Sequence, residues 1–143
     1  MSLKIRKPSL VPFQKKIDKP WGYEIIYTSE NDPFTGKLLH IKAGKKLSLQ
    51  YHDAKEESLC LIKGKAIITL SNSQKKIFKI PMEPLKGYFI AKGQIHRIEA
   101  KTNIDVMEAS TPEKGNTIRL EDDFKRQTET EAMRKKKNRG WKK

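Results

Sequence analysis

Ten short apolar segments, separated by turn-forming residues, occupy the chain from Gly22 to about Glu121. Each segment is rich in the Ile, Leu, Val, Tyr and Phe that favour strands, and the links contain the Gly, Pro, Asn and Asp that turns need. The predicted strands cover residues 23–28, 37–43, 47–52, 57–64, 65–71, 75–80, 87–91, 95–100, 105–111 and 117–121. No helical pattern of useful length lies between them, which excludes repeated βαβ units. The pattern therefore predicts an all-β sandwich or closed barrel.

The positive charge of the chain is concentrated at its two ends. The formal net charge is +14, but residues 124–143 hold nine Lys or Arg against two Glu, and residues 1–19 hold six against one Asp. The residues between them carry only about +2. We therefore expect a basic N-terminal segment over 1–18, one barrel domain over 19–123, and a Lys/Arg-rich tail from residue 124 that forms a short basic helix or stays disordered.

The basic ends alone do not indicate a nucleic-acid-binding protein. A tail such as RKKKNRGWKK attracts polyanions non-specifically and in a salt-dependent way. The sequence has no zinc-finger spacing, recognition helix or strand surface with interleaved aromatics, and no apolar run of 18 residues. Its first residues lack the apolar block of a secretory signal, and its one cysteine, Cys60, cannot form an internal disulfide. We therefore expect a cytoplasmic protein that has neither a membrane nor a specific nucleic acid as its partner.

Four polar residues in two distant segments have the chemistry of metal ligands. Gln50 and His52 alternate along one predicted strand, so their side chains point to the same face. Glu57 opens the next strand after a turn, and His96 begins a later strand after a glycine turn. A β-structure that brings this later strand alongside the first would complete the set. The alternative is that these are ordinary polar residues at strand ends, as we expect for His40, which alternates with apolar neighbours.

Two imidazoles, one carboxylate and one amide oxygen form a donor set that suits a divalent cation. Zn²⁺ is the ion that we expect first, and Mn²⁺, Fe²⁺, Co²⁺ and Ni²⁺ remain open. Water or substrate oxygens would take the remaining coordination positions.

Several ordered motifs resemble those of a known family. GKKLSLQYHDAKEESLCLIKG (44–64) and GYFIAKGQIHRIEA (87–100) look like the two cupin motifs. KPWGYE (19–24), LSLQYH, GQIHRIE and STPEKGNTIRLEDDF (110–124) are similar to the C-terminal domain of type II mannose-6-phosphate isomerases, over roughly residues 19–126. The resemblance implies a cupin-type double-stranded β-helix, or jelly roll. It also implies that Gln50, His52, Glu57 and His96 are the metal ligands.

The chain departs from the pattern of that family at a few positions. Members often have several consecutive histidines where this chain has Asp53 and Ala54 after the first one, and the usual proline of the second motif is Ala91. Glu56 adjoins Glu57 and is a rival for the carboxylate ligand. The nucleotidyltransferase domain to which this domain is often fused in bacteria is absent from the sequence.

The resemblance implies an isomerase that interconverts mannose-6-phosphate and fructose-6-phosphate through a metal-stabilised enediol. Such a reaction needs a cationic group for the sugar phosphate, and the candidates are Arg119 and, more weakly, Lys46. The alternative for Arg119 is an ion pair with Glu121 or Asp122. Arg97 adjoins His96 in a strand and should face away from the metal. The sequence does not identify the general base.

Two other functions remain open at this point. One is a non-catalytic cupin that holds a metal and binds a sugar or another small metabolite. The other is different metal chemistry on the same barrel, such as an oxygenase, which a glutamine in place of a histidine ligand disfavours. By analogy with cupins, whose sheet edges are often sealed by a second copy, we also expect a homodimer.

Overall fold

The computed structural model describes residues 3–5 and 7–142, which form two antiparallel sheets around one apolar core. The strands are β1 (Lys15–Lys19), β2 (Gly22–Ile26), β3 (Thr35–Ile41), β4 (Leu49–His52), β5 (Glu57–Lys63), β6 (Ala66–Ser71), β7 (Ile77–Pro81), β8 (Gly87–Ile90), β9 (His96–Ala100), β10 (Ile104–Ser110) and β11 (Thr117–Glu121). One sheet has the order β1-β2-β3-β10-β5-β8 and the other β11-β4-β9-β6-β7. The predicted all-β class and jelly-roll type are confirmed.

All ten predicted strands are present, and the structure adds one that was not predicted. The missed strand, β1, reads KKIDK, and only Ile17 within it is a buried apolar residue. A single apolar residue among charged ones gives no periodicity to detect. β1 pairs with β2 along its whole length. The division into three parts stays a prediction, although β1 crosses the expected boundary after residue 18. Residues 1, 2, 6 and 143 of the expected terminal segments lie outside the described residues.

The inward faces of four central strands change from aliphatic to polar along their length. On β5 the buried positions are Glu57, Leu59 and Leu61, and on β9 the inward-facing buried positions are His96, Ile98 and Ala100. β3 and β10 show the same change, with Lys37 and Glu108 at the polar ends of otherwise aliphatic faces. Because successive side chains in a strand alternate between faces, these polar groups must point into the barrel. The interior is therefore apolar in one half and charged in the other.

The C-terminal segment, residues 130–142, packs onto the barrel. It contains a short helix, α1 (Glu131–Arg134), and a 3₁₀ helix (Lys137–Gly140). Of the two states predicted for the tail, the structure has the helical one. The Asn138 side chain accepts a hydrogen bond from the backbone N–H of Asp18 at 3.1 Å, which joins this segment to β1. No helix in the described part of the chain is long and apolar enough to cross a membrane.

Candidate metal centre

His52, Glu57 and His96 converge at the polar end of the barrel interior. The Nε2 atoms of His52 and His96 lie 3.3 and 3.2 Å from the same carboxylate oxygen, Oε1 of Glu57. One potential ligand atom from each residue lies within 4.8 Å of the others, and all three residues are buried. Ligands held about 2.0–2.2 Å from one tetrahedral ion are roughly 3.3–3.6 Å apart. The two measured separations are close to that range.

The outward nitrogens of both imidazoles are held in place. His52 Nδ1 lies 3.0 Å from the Thr117 hydroxyl, and His96 Nδ1 lies 2.9 Å from the backbone carbonyl oxygen of Gln94. Such contacts fix the ring orientation and leave Nε2 to face the cavity. Burial, only partly opposed by the Glu57 carboxylate, lowers the pKa of His52 to about 4. The ring is therefore neutral at physiological pH, as a metal ligand must be.

The donor set has an unsatisfied buried atom that a cation would complete. His96 Nε2 has no hydrogen-bond partner among the described residues, although it lies beside the Glu57 carboxylate. A buried polar atom without a partner costs about 1–3 kcal/mol, so such atoms are rare unless a ligand or ion uses them. The residues present therefore fit a divalent cation.

Gln50 lies next to this cluster through strand register. It pairs with His96 across β4 and β9, and it lines the same cavity as His52 and Glu57. Its Oε1 accepts a hydrogen bond from the Ser48 hydroxyl at 3.1 Å. The structure thus brings all four predicted ligands to one cavity. The rival ligand Glu56 lies elsewhere, because its carboxylate accepts a hydrogen bond from the backbone N–H of Lys92.

A buried lysine and a second glutamate stand behind the cluster, and the sequence analysis missed both. The Lys55 ammonium lies 3.2 Å from Glu57 Oε2 and 3.2 Å from Glu108 Oε2. Burial and the charge of Glu57 raise the pKa of Glu108 to about 7, although Lys55 opposes them. Glu108 had a detectable signal, since it alternates with the buried aliphatic residues Val106 and Ile104 on β10.

Of the two cationic residues predicted for the phosphate, Arg119 lies in the cavity and Lys46 does not. Arg119 lines the cavity, with its side chain only 8% exposed. Its Nη1 donates to the Gln127 carbonyl, and Glu129 lies 3.8 Å from its Nη2. The structure does not show the alternative, an ion pair with Glu121 or Asp122, because those carboxylates pair with Arg97 and Arg126.

Lys46 is not brought to the cavity. It precedes β4, forms an isolated bridge with Glu99, and places its ammonium 3.7 Å from Asp123. The residues that line the cavity do not include it. Arg97 faces away from the cluster, as predicted, and donates to the Leu47 carbonyl. His40 is also outside the site, where its ring stacks on that of Tyr23.

A cluster of paired charges, the mouth cluster, closes the polar end of the barrel. Its carboxylates are Glu24, Glu113 and Glu129. Arg139 of the C-terminal segment contacts all three, at 3.5 Å from Glu24, 2.8 Å from Glu113 and 3.2 Å from Glu129. Lys37 pairs with Glu24 and Glu113. The tail cation Arg139 is therefore held in the barrel rather than in solvent.

The fold and this site together define a cupin-type β-barrel with a candidate metal centre. Residues 7–129 match the family described as mannose-6-phosphate isomerase C-terminal, so the chain belongs to that family. A comparison with curated proteins found no match.

Solved structures share the fold at low sequence identity. Oxalate decarboxylase from Bacillus subtilis has a TM-score of 0.68 at 16% identity, over 81% of this chain and 33% of that one. CapF from Staphylococcus aureus, a capsular polysaccharide assembling protein, has a TM-score of 0.61 at 18% identity, over 80% of this chain and 33% of that one. The present chain thus spans about a third of the length of these proteins. At such identities the likeness concerns the fold alone.

Proposed function

We propose that this protein is a metal-dependent sugar-phosphate isomerase that interconverts mannose-6-phosphate and fructose-6-phosphate. Gln50, His52, Glu57 and His96 would hold the ion. The observation that carries the proposal is the convergence of two imidazole nitrogens on one buried carboxylate oxygen, in a chain of the mannose-6-phosphate isomerase C-terminal family. The name of that family supports the substrate, and the donor set supports the metal.

When bound, a divalent cation supplies electrostatic stabilisation for negative charge that develops on neighbouring substrate oxygens. The residues of the chain would transfer the proton and bind the phosphate. We assign the proton transfer between C1 and C2 to the Glu108 carboxylate, because it is buried, lines the cavity and is held in place by Lys55. We assign the phosphate to Arg119, whose guanidinium lines the same cavity and suits phosphate oxygens.

Zn²⁺ is the ion that we propose first. Mn²⁺ is the main competitor, because a structural study of the similar Bacillus subtilis oxalate decarboxylase concerns its Mn(II) centres. Homodimer formation stays a prediction, and size-exclusion chromatography with light scattering measures it.

A coupled assay of hexose-6-phosphate isomerisation tests the proposal. We expect turnover of the purified protein, loss of turnover after chelation, and recovery with Zn²⁺ or Mn²⁺. We also expect Glu108→Gln to lose at least about 100-fold in kcat while it still binds the metal. A metal-loaded protein that turns over neither sugar phosphate would refute the isomerase.

The size of the inner cavity favours a second candidate function. It has a volume of about 70 Å³, whereas small-molecule sites commonly measure roughly 300–1,000 Å³. A non-catalytic cupin that holds a metal and binds only part of a sugar or metabolite would suit so small a space. Calorimetry that shows tight sugar-phosphate binding without turnover would select this alternative.

A further inference from the structure

A second cavity lies outside the first and is lined by cations. It has a volume of about 380 Å³ and lies between β11, its following loop and the C-terminal segment. Among the described residues that line it, there are six cations and no carboxylate: Lys19, Arg119, Lys125, Arg126, Arg139 and Lys142. Phe124 and Trp141, whose ring centroids lie 6.4 Å apart, add aromatic surface. An anion is the ligand that such a lining attracts.

The two cavities share four lining residues, and all four are cations: Lys19, Arg119, Arg126 and Arg139. We call them the cationic ring. The ring separates the inner cavity, which contains the candidate metal ligands, from the outer cavity. A ligand that reached from one cavity to the other would place its middle or its charged end among these four side chains.

Two guanidinium groups of the ring have buried nitrogens that no protein group satisfies. The Arg119 and Arg139 side chains are each 8% exposed, and the Nε of each lacks a hydrogen-bond partner among the described residues. For Arg139 the nearest carboxylate, Glu24, lies 3.5 Å from Nε. Burial and the neighbouring Arg126 also lower the pKa of Arg119. Buried charged donors of this kind are stabilised by an anion that accepts from them.

We infer that the C-terminal segment, residues 130–142, forms the outer wall of the phosphate site, and that Arg139 holds the phosphate of the substrate together with Arg119. This inference rests on the proposed function for the identity of the sugar phosphate. It adds a part of the chain that the family match, which ends at residue 129, does not include. The phosphate lies in the ring, and only the reacting end of the sugar reaches into the small inner cavity.

The backbone of this segment is shaped to place Arg139. Asn138, Arg139 and Gly140 have φ values of 47°, 51° and 83°, so three consecutive residues lie in the left-handed region. This conformation is unfavourable for residues other than glycine and persists only where surrounding contacts enforce it. Here the contacts are the hydrogen bond from Asp18 to Asn138 and the three carboxylates around Arg139.

Calorimetric titration of the metal-loaded protein tests the inference. The ligands are fructose-6-phosphate, inorganic phosphate and unphosphorylated fructose. We expect Arg139→Gln to weaken binding of both phosphate ligands by about tenfold or more, and to leave fructose binding unchanged. The matched control is Lys137→Gln, which removes the same charge from the same segment at an exposed position outside the described cavities. We expect the control to bind all three ligands as the parent does.

Loss of Arg139 leaves buried carboxylates with less compensation and could unfold the protein. The double variant Arg139→Gln/Glu113→Gln removes one of those carboxylates as well and therefore keeps the charge balance. The inference would be overturned if this double variant bound phosphate as tightly as Glu113→Gln alone does.

The outcomes separate this inference from the proposed function. Phosphate binding that depends on Arg139, without any isomerase turnover, would support the inference and refute the enzyme. Turnover with a KM that is the same in Arg139→Gln and Lys137→Gln would support the enzyme and refute the inference.

Discussion

The inner site and the mouth cluster lie in the same barrel but are built in different ways. The inner site takes His52, Glu57 and His96 from the ends of three strands whose other inward residues are mostly aliphatic. The mouth cluster combines β2 and β3 with loop residues and the C-terminal segment. In the inner site, two imidazole nitrogens face the single carboxylate of Glu57. At the mouth, three carboxylates surround the Arg139 guanidinium, although its Nε lacks a hydrogen-bond partner among the described residues.

The difference indicates that the two regions serve different purposes. A set of donors that is rigid and incompletely satisfied is suited to take up a ligand, because binding completes contacts that folding alone leaves open. A network of mutually paired charges mainly stabilises the arrangement of its own segments. We therefore expect changes in the inner site to act on metal binding, and changes in the mouth cluster to act on stability as well as on phosphate binding.

The largest expected effect is on metal affinity in the inner site. Glu57→Gln replaces the only carboxylate of the donor set by an amide, and we expect the affinity for Zn²⁺ and Mn²⁺ to fall by at least about 100-fold. A competition titration against a chelator measures it. The control is Glu56→Gln, the adjacent residue, which lies outside the cavity and should bind metal as the parent does. Similar losses in the two variants would contradict the assigned ligand set.

At the mouth, the main expected effect is on stability. Arg139→Met leaves Glu24, Glu113 and Glu129 buried with fewer cations, and we expect the free energy of unfolding to fall by about 3–5 kcal/mol. Urea denaturation of the parent, this variant and Lys137→Met measures the effect. Lys137→Met should stay within about 0.5 kcal/mol of the parent. A small loss for Arg139→Met would show that the paired charges of the mouth contribute little.

Acid should weaken the mouth cluster. Burial alone would raise the pKa of Glu24, but Lys37 and Arg139 outweigh burial and lower it to about 2. The same two cations hold the pKa of Glu113 well below its usual value, against burial. Because these folded-state values lie below the unfolded-state value of 4.5, their stabilisation is complete above pH 4.5 and is lost as the pH falls towards 2.

For Glu24 this stabilisation amounts to about 3 kcal/mol. Urea denaturation at intervals between pH 7 and pH 3 measures the loss. A Glu24→Gln variant should have a flatter profile over the same range, because it no longer takes up a proton on unfolding. Parallel profiles for parent and variant would show that Glu24 is not the group responsible.

The smallest expected effect concerns the link between the C-terminal segment and β1. Asn138→Ala removes the acceptor for the Asp18 N–H and places alanine at a φ of 47°, so we expect a loss of about 1–2 kcal/mol. Asn138→Gly loses the same hydrogen bond but tolerates the backbone conformation, and the difference between the variants isolates the backbone cost. If hydrogen exchange at the Asp18 amide is as slow in both variants as in the parent, the link does not hold the segment.

The positions of the inner-site residues could be read from the sequence because their signal is periodic. Gln50 and His52 alternate on one strand, and His96 is spaced by two residues from Ile98, so strand geometry alone gives their faces. Glu108 and Lys37 have the same signal, since each alternates with aliphatic residues, but a charged residue in a strand ordinarily faces solvent. A charged residue can be predicted to face the interior only when the residue that neutralises its charge is known.

The mouth cluster was not predictable from local pattern. Arg139 meets Glu24 across more than a hundred residues, and an ion pair between distant segments leaves no periodicity in either of them. The high charge of the tail instead favoured a solvated segment, because charged runs usually are solvated. Lys46 was placed in the site for its proximity to the first cupin motif, but that position precedes β4, and its ammonium lies beside Asp123.

The hydrogen bond between Asp18 and Asn138 joins residues that are 120 positions apart. During translation, β1 to β11 have emerged from the ribosome before Asn138 does, and hairpin pairs among them can already form. The entrance to the pocket is finished only once the last part of the chain is available. A protein interrupted between β11 and Asn138 would hence consist of an assembled barrel with an incomplete entrance, whose sheet content alone would not reveal the defect.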